Sequence, residues 1–99
     1  MLVNKEFIEA HRKLFETILS LESLEECGAF FEDLLTYNEV ESMSQRLWAA
    51  QLMLEGKTYE QITAETSISS ATLSRISKCL RYGEGYKKVL GKIDKNKSE

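Results

Sequence analysis

The 99-residue sequence predicts an all-α fold of about six helices with a helix-turn-helix at about residues 58–80, and three observations carry that prediction. Proline is absent, so no residue forces a helix to break. Apolar side chains recur at i, i+3, i+4 and i+7 along most of the chain. Three Ser/Thr-x-x-Glu/Gln boxes (Ser23/Glu26, Thr36/Glu39 and Thr58/Gln61) mark helix starts, because each pairs a hydroxyl and a side-chain acceptor with backbone N–H groups that a helix leaves unbonded.

The first helix is expected from Asn4 to about Leu21, with Phe7, Ile8, Leu14, Phe15, Ile18 and Leu19 on its apolar stripe and His11 completing the row from Phe7 to Phe15. With no second histidine and no paired nucleophile, His11 reads as a packed side chain. Ser23 opens a second helix through Leu24, Cys27, Phe30, Phe31 and Leu34 to a stop near Leu35. Thr36 opens a third, with Val40, Met43, Leu47, Trp48, Leu52 and Leu54 inward and a stop at Gly56. Thr58 starts a short fourth helix through Ile62 and Ala64, interrupted at Thr66-Ser67. Ile68 then plants one apolar side chain, and Ser69 caps a fifth helix with Leu73, Ile76 and Leu80 inward. Gly83 and Gly85 break the chain before a short last helix carrying Tyr86, Val89, Leu90 and Ile93, and the Lys95–Glu99 tail is expected to fray.

An apolar content of 42% suffices for one modest core, so residues 1–99 are read as a single domain. Helices one to three nonetheless carry more apolar surface than so short a chain can bury, which calls for a partner, most simply a second copy. No stretch has the length and apolarity of a membrane span or a secretion signal, and the expected location is the cytoplasm, or the nucleoid when DNA is bound. Cys27 and Cys79 with one histidine match no zinc spacing and read as reduced, small buried apolar residues, so no metal or cofactor is expected. Without a nucleophile–base pair or a glycine-rich phosphate loop, an enzyme is disfavoured.

The net charge of −3 hides a polarised chain: residues 1–66 hold five Lys/Arg against thirteen Asp/Glu, whereas residues 67–99 hold eight against three. The segment from Thr58 to Ile76 follows the helix-turn-helix pattern without a gap, and the basic residues Arg75, Lys78, Arg81, Lys87, Lys88, Lys92, Lys95 and Lys97 lie on and after its second helix. In that pattern the two helices cross closely where Thr63 stands, the turn wants a residue tolerant of positive φ where Ser67 stands, and Ile62, Ile68, Leu73 and Ile76 lock the pair. The second helix of such a motif lies in the major groove of double-stranded DNA, which turns Ser69, Ser70, Ala71, Thr72, Ser74, Arg75 and Lys78 toward it. Hydroxyls bond bases or phosphates, Ala71 and the Thr72 methyl meet a thymine methyl, and Arg75 and Lys78 hold phosphate or guanine. A protein-interaction module using the same motif as a docking surface within a transcription complex is the alternative.

These residues resemble the Trp repressor superfamily, and within it the bacterial Trp-repressor-related YerC/YecD branch. The resemblance runs from Leu34-Leu35-Thr36-Tyr37-Asn38-Glu39 through Gln45-Arg46, Met53-Leu54-Glu55-Gly56, Tyr59-Glu60-Gln61-Ile62 and Ala71-Thr72-Leu73-Ser74-Arg75 to Tyr86-Lys87-Lys88-Val89-Leu90. It implies an intertwined six-helix homodimer that acts as a sequence-specific repressor, its first three and last helices in a shared core and its middle pair standing out as a reading head. It also implies an effector pocket in which tryptophan lies between two arginines, with a threonine nearby and a glycine after the second arginine. Thr36, Arg46 and Arg75 match by motif position, but Ile76 stands where that glycine would be. A β-branched side chain fills the slot, so L-tryptophan is not expected to bind. Arg46 and Arg75 are then left to hold the fifth helix against the third, to pair with carboxylates, or to receive a smaller anion.

Overall fold

The computed structural model describes residues 8–97, with side chains from 8 to 92. Among the described residues there are six helices and no strand: α1 Glu9–Leu19, α2 Leu24–Leu34, α3 Tyr37–Leu54, α4 Tyr59–Glu65, α5 Ser70–Tyr82 and α6 Gly85–Lys97. The helix start read at Asn4, the Phe7 position and the side chain of Ile93 lie outside the described residues. The chain divides into two compact units, one up to Tyr37 and one from Asn38 onward.

In the first unit, Ser23 caps α2 by accepting the Glu26 N–H at 3.0 Å. The Glu26 carboxylate reaches back one residue further than the box predicts, accepting the N–H of Glu22 at 2.9 Å. Neither α1 nor α2 has a buried residue. Leu19 and Leu24 are 83% and 90% exposed, while Phe15, Ile18, Phe30 and Phe31 are half-buried. Phe30 and Phe31 meet edge to face with ring centroids 5.4 Å apart. No described side chain of this unit is fully buried, so its apolar stripes stay partly in water.

The core lies in the second unit. Ala49, Ala50 and Leu52 of α3, Ile62 of α4, Leu73, Ile76 and Leu80 of α5 and Leu90 of α6 are its buried apolar members, with Met53, Ile68 and Tyr86 packed at its margin. The buried face of α3 differs from the expected one. Met43, Leu47 and Leu54 recur on one stripe that stays exposed, as does Trp48, and the face that turns inward is centred on two alanines. Alanine lets a neighbouring helix approach closely where a larger side chain would hold it off. As predicted, α3 stops at Gly56: its φ of +90° is the left-handed conformation glycine tolerates. The N–H groups of Gly56 and Lys57 return to Met53 O and Leu52 O, the Schellman pattern.

The connection from α5 to α6 is tighter than two glycine breaks. Gly83 ends α5 with its N–H on Cys79 O, and a Cβ at Gly83 would lie 2.8 Å from that oxygen, so the close approach excludes any larger residue. Gly85, by contrast, is already the first residue of α6. This last helix is longer than expected: no breaker follows Lys92, and it runs on to Lys97, past the point where the tail was expected to fray. Tyr86 and Leu90 face the core, whereas Val89, turned by roughly 100° from Leu90, is exposed.

Candidate nucleic-acid interface

Residues 58 to 82 form a helix-turn-helix whose every junction is capped. Thr58 and Gln61 make the predicted box in both directions: Thr58 Oγ1 accepts the Gln61 N–H at 3.2 Å, and Gln61 Oε1 accepts the Thr58 N–H at 2.8 Å. At the far end of α4, the Thr66 N–H returns to Ile62 O at 2.8 Å. Thr66 is buried, and its hydroxyl donates to the same Ile62 O at 2.8 Å while accepting the Ile68 N–H at 3.3 Å. By sequence spacing this residue marks only an interruption between helices. A buried hydroxyl with two partners instead makes it the internal brace of the turn.

Two positions of the motif depart from expectation. Thr63, placed at the helix crossing, is exposed, and its hydroxyl folds onto Glu60 O at 3.0 Å. The buried row of α4 is Ile62 with Thr66, four residues apart. Ser67, expected to need a left-handed conformation, does not adopt one: among the described residues only Gly56 has positive φ. The chain turns here through extended backbone at Thr66, with φ −115° and ψ 169°, so a serine sits at the next position without strain. The Ser67 N–H is taken by Gln45 Oε1 of α3, 3.0 Å away.

Ser69 caps α5, accepting the Thr72 N–H at 3.3 Å and donating to Thr72 Oγ1 at 3.2 Å. Those two hydroxyls are engaged with each other, and Thr72 is half-buried. Beyond them Ser70, Ala71, Ser74, Arg75 and Lys78 are all exposed. At roughly 100° per residue they share an arc about 140° wide. The opposite arc holds Leu73 and Ile76, at 0% and 2% exposure, with Leu80 at the edge of burial. Among the described residues Arg46, Arg75 and Lys78 form no ion pair, and the two surface pairs present, Arg12–Glu16 and Glu84–Lys88, lie elsewhere. Of the residues matched to an effector pocket, Arg46 and Arg75 are exposed and Ile76 is core; Thr36 is exposed in the first unit.

The arrangement is a short helix and a braced turn delivering a second helix that is apolar inside and hydroxyl-rich and cationic outside. The sequence profile of the family described as Trp repressor protein matches residues 9–94. The chain belongs to the Trp repressor family. It is 47% identical over 88 residues to an uncharacterized protein, YerC, of Bacillus subtilis (strain 168), spanning 88% of this chain and 85% of the relative. Among solved structures it is similar to a TrpR-like protein from Eubacterium eligens, with a TM-score of 0.86 at 41% identity over 92% of this chain and 96% of the other. A Trp-repressor candidate from Staphylococcus aureus gives a TM-score of 0.87 at 41% identity over 95% of each chain. The Trp repressor family is one of regulators. No helix among the described residues is long and apolar enough to cross a membrane.

The brace generates a stability prediction. Thr66→Val keeps the volume but removes the hydroxyl, leaving the Ile68 N–H without its partner, and is expected to cost about 1–3 kcal/mol in urea unfolding followed by circular dichroism. Thr66→Ser should retain most of that stability. Equal midpoints for wild type and Thr66→Val would show that the hydroxyl does not hold the turn.

Proposed function

We propose that this protein is a sequence-specific, DNA-binding repressor of transcription that acts as a homodimer in the cytoplasm, on the nucleoid. The observation that carries this reading is the outer arc of α5. Ser70, Ala71, Ser74, Arg75 and Lys78 are exposed together, opposite the row that anchors the helix. The α5 N-terminal residues enter a major groove, the small hydroxyls and Ala71 reach base edges, and Arg75 and Lys78 hold phosphate or guanine. The acidic first two-thirds of the sequence and the basic last third divide the same labour electrostatically. Ser69 and Thr72 contribute chiefly by shaping the start of the helix.

The homodimer reading is supported by α1 and α2, which have no buried residue, and by the exposed Met43–Leu47–Leu54 stripe of α3. Apolar area left wet forgoes about 25 cal/mol per Å². Residues 1–99 are proposed to act as one Trp-repressor-like domain of that dimer. Free L-tryptophan is not the corepressor, because Ile76 occupies the core at the position where the family pocket has glycine.

Three outcomes test these statements. Selection from a random DNA library should enrich one motif. Against it, Ser70→Ala and Ser74→Ala should change discrimination at particular base pairs by about 1–3 kcal/mol, while Lys78→Ala weakens all DNA alike and lowers the salt slope by about one. A uniform loss in all three variants would reject the assignment of bases and phosphates, and no enrichment would favour a protein-docking module. For the dimer, sedimentation should show two chains at micromolar concentration. Leu47→Asp, harmless on an exposed surface, should prevent folding if that position is buried between chains. A stable wild-type monomer would refute this. Finally, calorimetry with L-tryptophan should show no micromolar binding to the wild type, because admitting an indole beside Ile76 costs about 1–3 kcal/mol of overpacking. Micromolar binding with a matching gain in DNA affinity would show that the pocket survives.

A further inference from the structure

The Gln45-Arg46 pair belongs to the segments that resemble the family, yet the DNA-reading role uses no property of Gln45. Its surroundings assign one. Three successive backbone N–H groups in the turn between α4 and α5 find acceptors: Thr66 bonds Ile62 O, Ser67 bonds Gln45 Oε1 at 3.0 Å, and Ile68 bonds Thr66 Oγ1. The first and third acceptors belong to the motif itself. The middle one comes from α3, 22 residues away in sequence.

The amide of Gln45 is held at both ends. Its Nε2 donates to Glu41 Oε1 at 3.3 Å, one turn earlier on α3, which leaves Oε1 as the atom that faces the turn. Gln45 is half-buried, while Ser67 is exposed. A missing bond would be answered by water, so its loss should cost little stability. What it supplies is direction. The apolar contacts of Ile76 and Leu73 are tolerant of small rotations, whereas a hydrogen bond prefers a narrow range of angles. Ser67 stands two residues before the cap of α5, so a bond that fixes Ser67 against α3 also fixes where α5 starts.

We infer that Gln45, oriented by Glu41, is a positioning residue of the reading head: it pins the turn to α3 and thereby sets the angle at which α5 meets DNA. The inference rests on the proposed DNA-reading role. It implies that specificity depends on a residue whose side chain faces the protein backbone, since base contacts tolerate displacements of only about half an ångström.

Two variants of the full-length protein test it. Gln45→Met keeps length and helix propensity but has no strong acceptor. The exchange of roles in Glu41→Gln/Gln45→Glu keeps net charge, restores an acceptor for Ser67 and lets the new amide at 41 donate to the new carboxylate at 45. In Gln45→Met, hydrogen exchange at the Ser67 amide, read by NMR without DNA, should accelerate about tenfold, the scale of one net hydrogen bond. The ratio of affinities for selected over random DNA should fall by about the same factor, with random-DNA affinity and salt slope unchanged. The double variant should recover both quantities to within about threefold. Wild-type exchange at Ser67, or a wild-type affinity ratio, in Gln45→Met would overturn the inference; so would equal losses on selected and random DNA, which would indicate a phosphate contact. If the wild type selects no DNA, the DNA-reading proposal fails, and the Ser67 exchange rate still decides whether Gln45 pins the turn.

Discussion

The seating of one face of α5 in the core is the contact on which the rest of the second unit depends. Leu73 and Ile76 are out of water, Leu80 is nearly so, and they share a cluster with Ala49 and Ala50 of α3 and Ile62 of α4. Because a helix has 3.6 residues per turn, fixing that face also fixes its opposite. The exposure of Ser70, Ala71, Ser74, Arg75 and Lys78 is thus a consequence of apolar burial on the other side of the same helix. A hydroxyl-rich, cationic surface of this kind needs a rigid carrier, since lone hydroxyls and long cationic side chains lose entropy wherever they are held. Two fully buried alanines of α3 belong to the same cluster.

Around this contact, hydrogen bonds do what apolar packing cannot. Packing holds α5 but is indifferent to small rotations; the caps at Thr58, Ser69 and Gly56 and the brace at Thr66 fix the length and direction of each segment. The short α4, seven residues long, has too few internal bonds to be stable as an isolated helix. Its two-way capping box and buried Ile62 compensate. The tight passage at Gly83 similarly sets where α6 begins, and so brings Tyr86 and Leu90 onto the core.

The two units divide the apolar residues unequally. Every buried apolar residue among those described lies beyond Asn38, while α1 and α2 carry half-buried or exposed leucines and phenylalanines. Amphipathic helices of this kind are poorly stable without a surface to cover them. This imbalance fits a family whose fold is proposed here to be completed by a second chain. Trp48 and Leu47, the obvious core candidates of α3, are likewise exposed while two alanines are buried.

Local signals were legible in the residues themselves. The six helices, the box at Thr58, the cap at Ser23, the stop at Gly56 and the inward row of α5 each depend on neighbours within about five positions, where spacing alone determines which groups meet. The same spacing separated the outer arc of α5 from its core face and so exposed most of the candidate site. What misled it was any feature needing a second element: the inward face of α3, the exposure of Thr63, Val89 and Cys79, which was expected to be buried, and the relaxed backbone at Ser67. The bond from Gln45 to Ser67 was invisible for the same reason, since no periodicity links residues 22 apart and a glutamine on a helix has no distinguishing mark in sequence. Sequence by itself determined where helices start and stop and which side of each is apolar, because those depend on local hydrogen bonds and on the turn of the helix. Only the tertiary structure decided which apolar side is buried within the chain and which outside group completes the turn, because both are choices among partners distant along the chain.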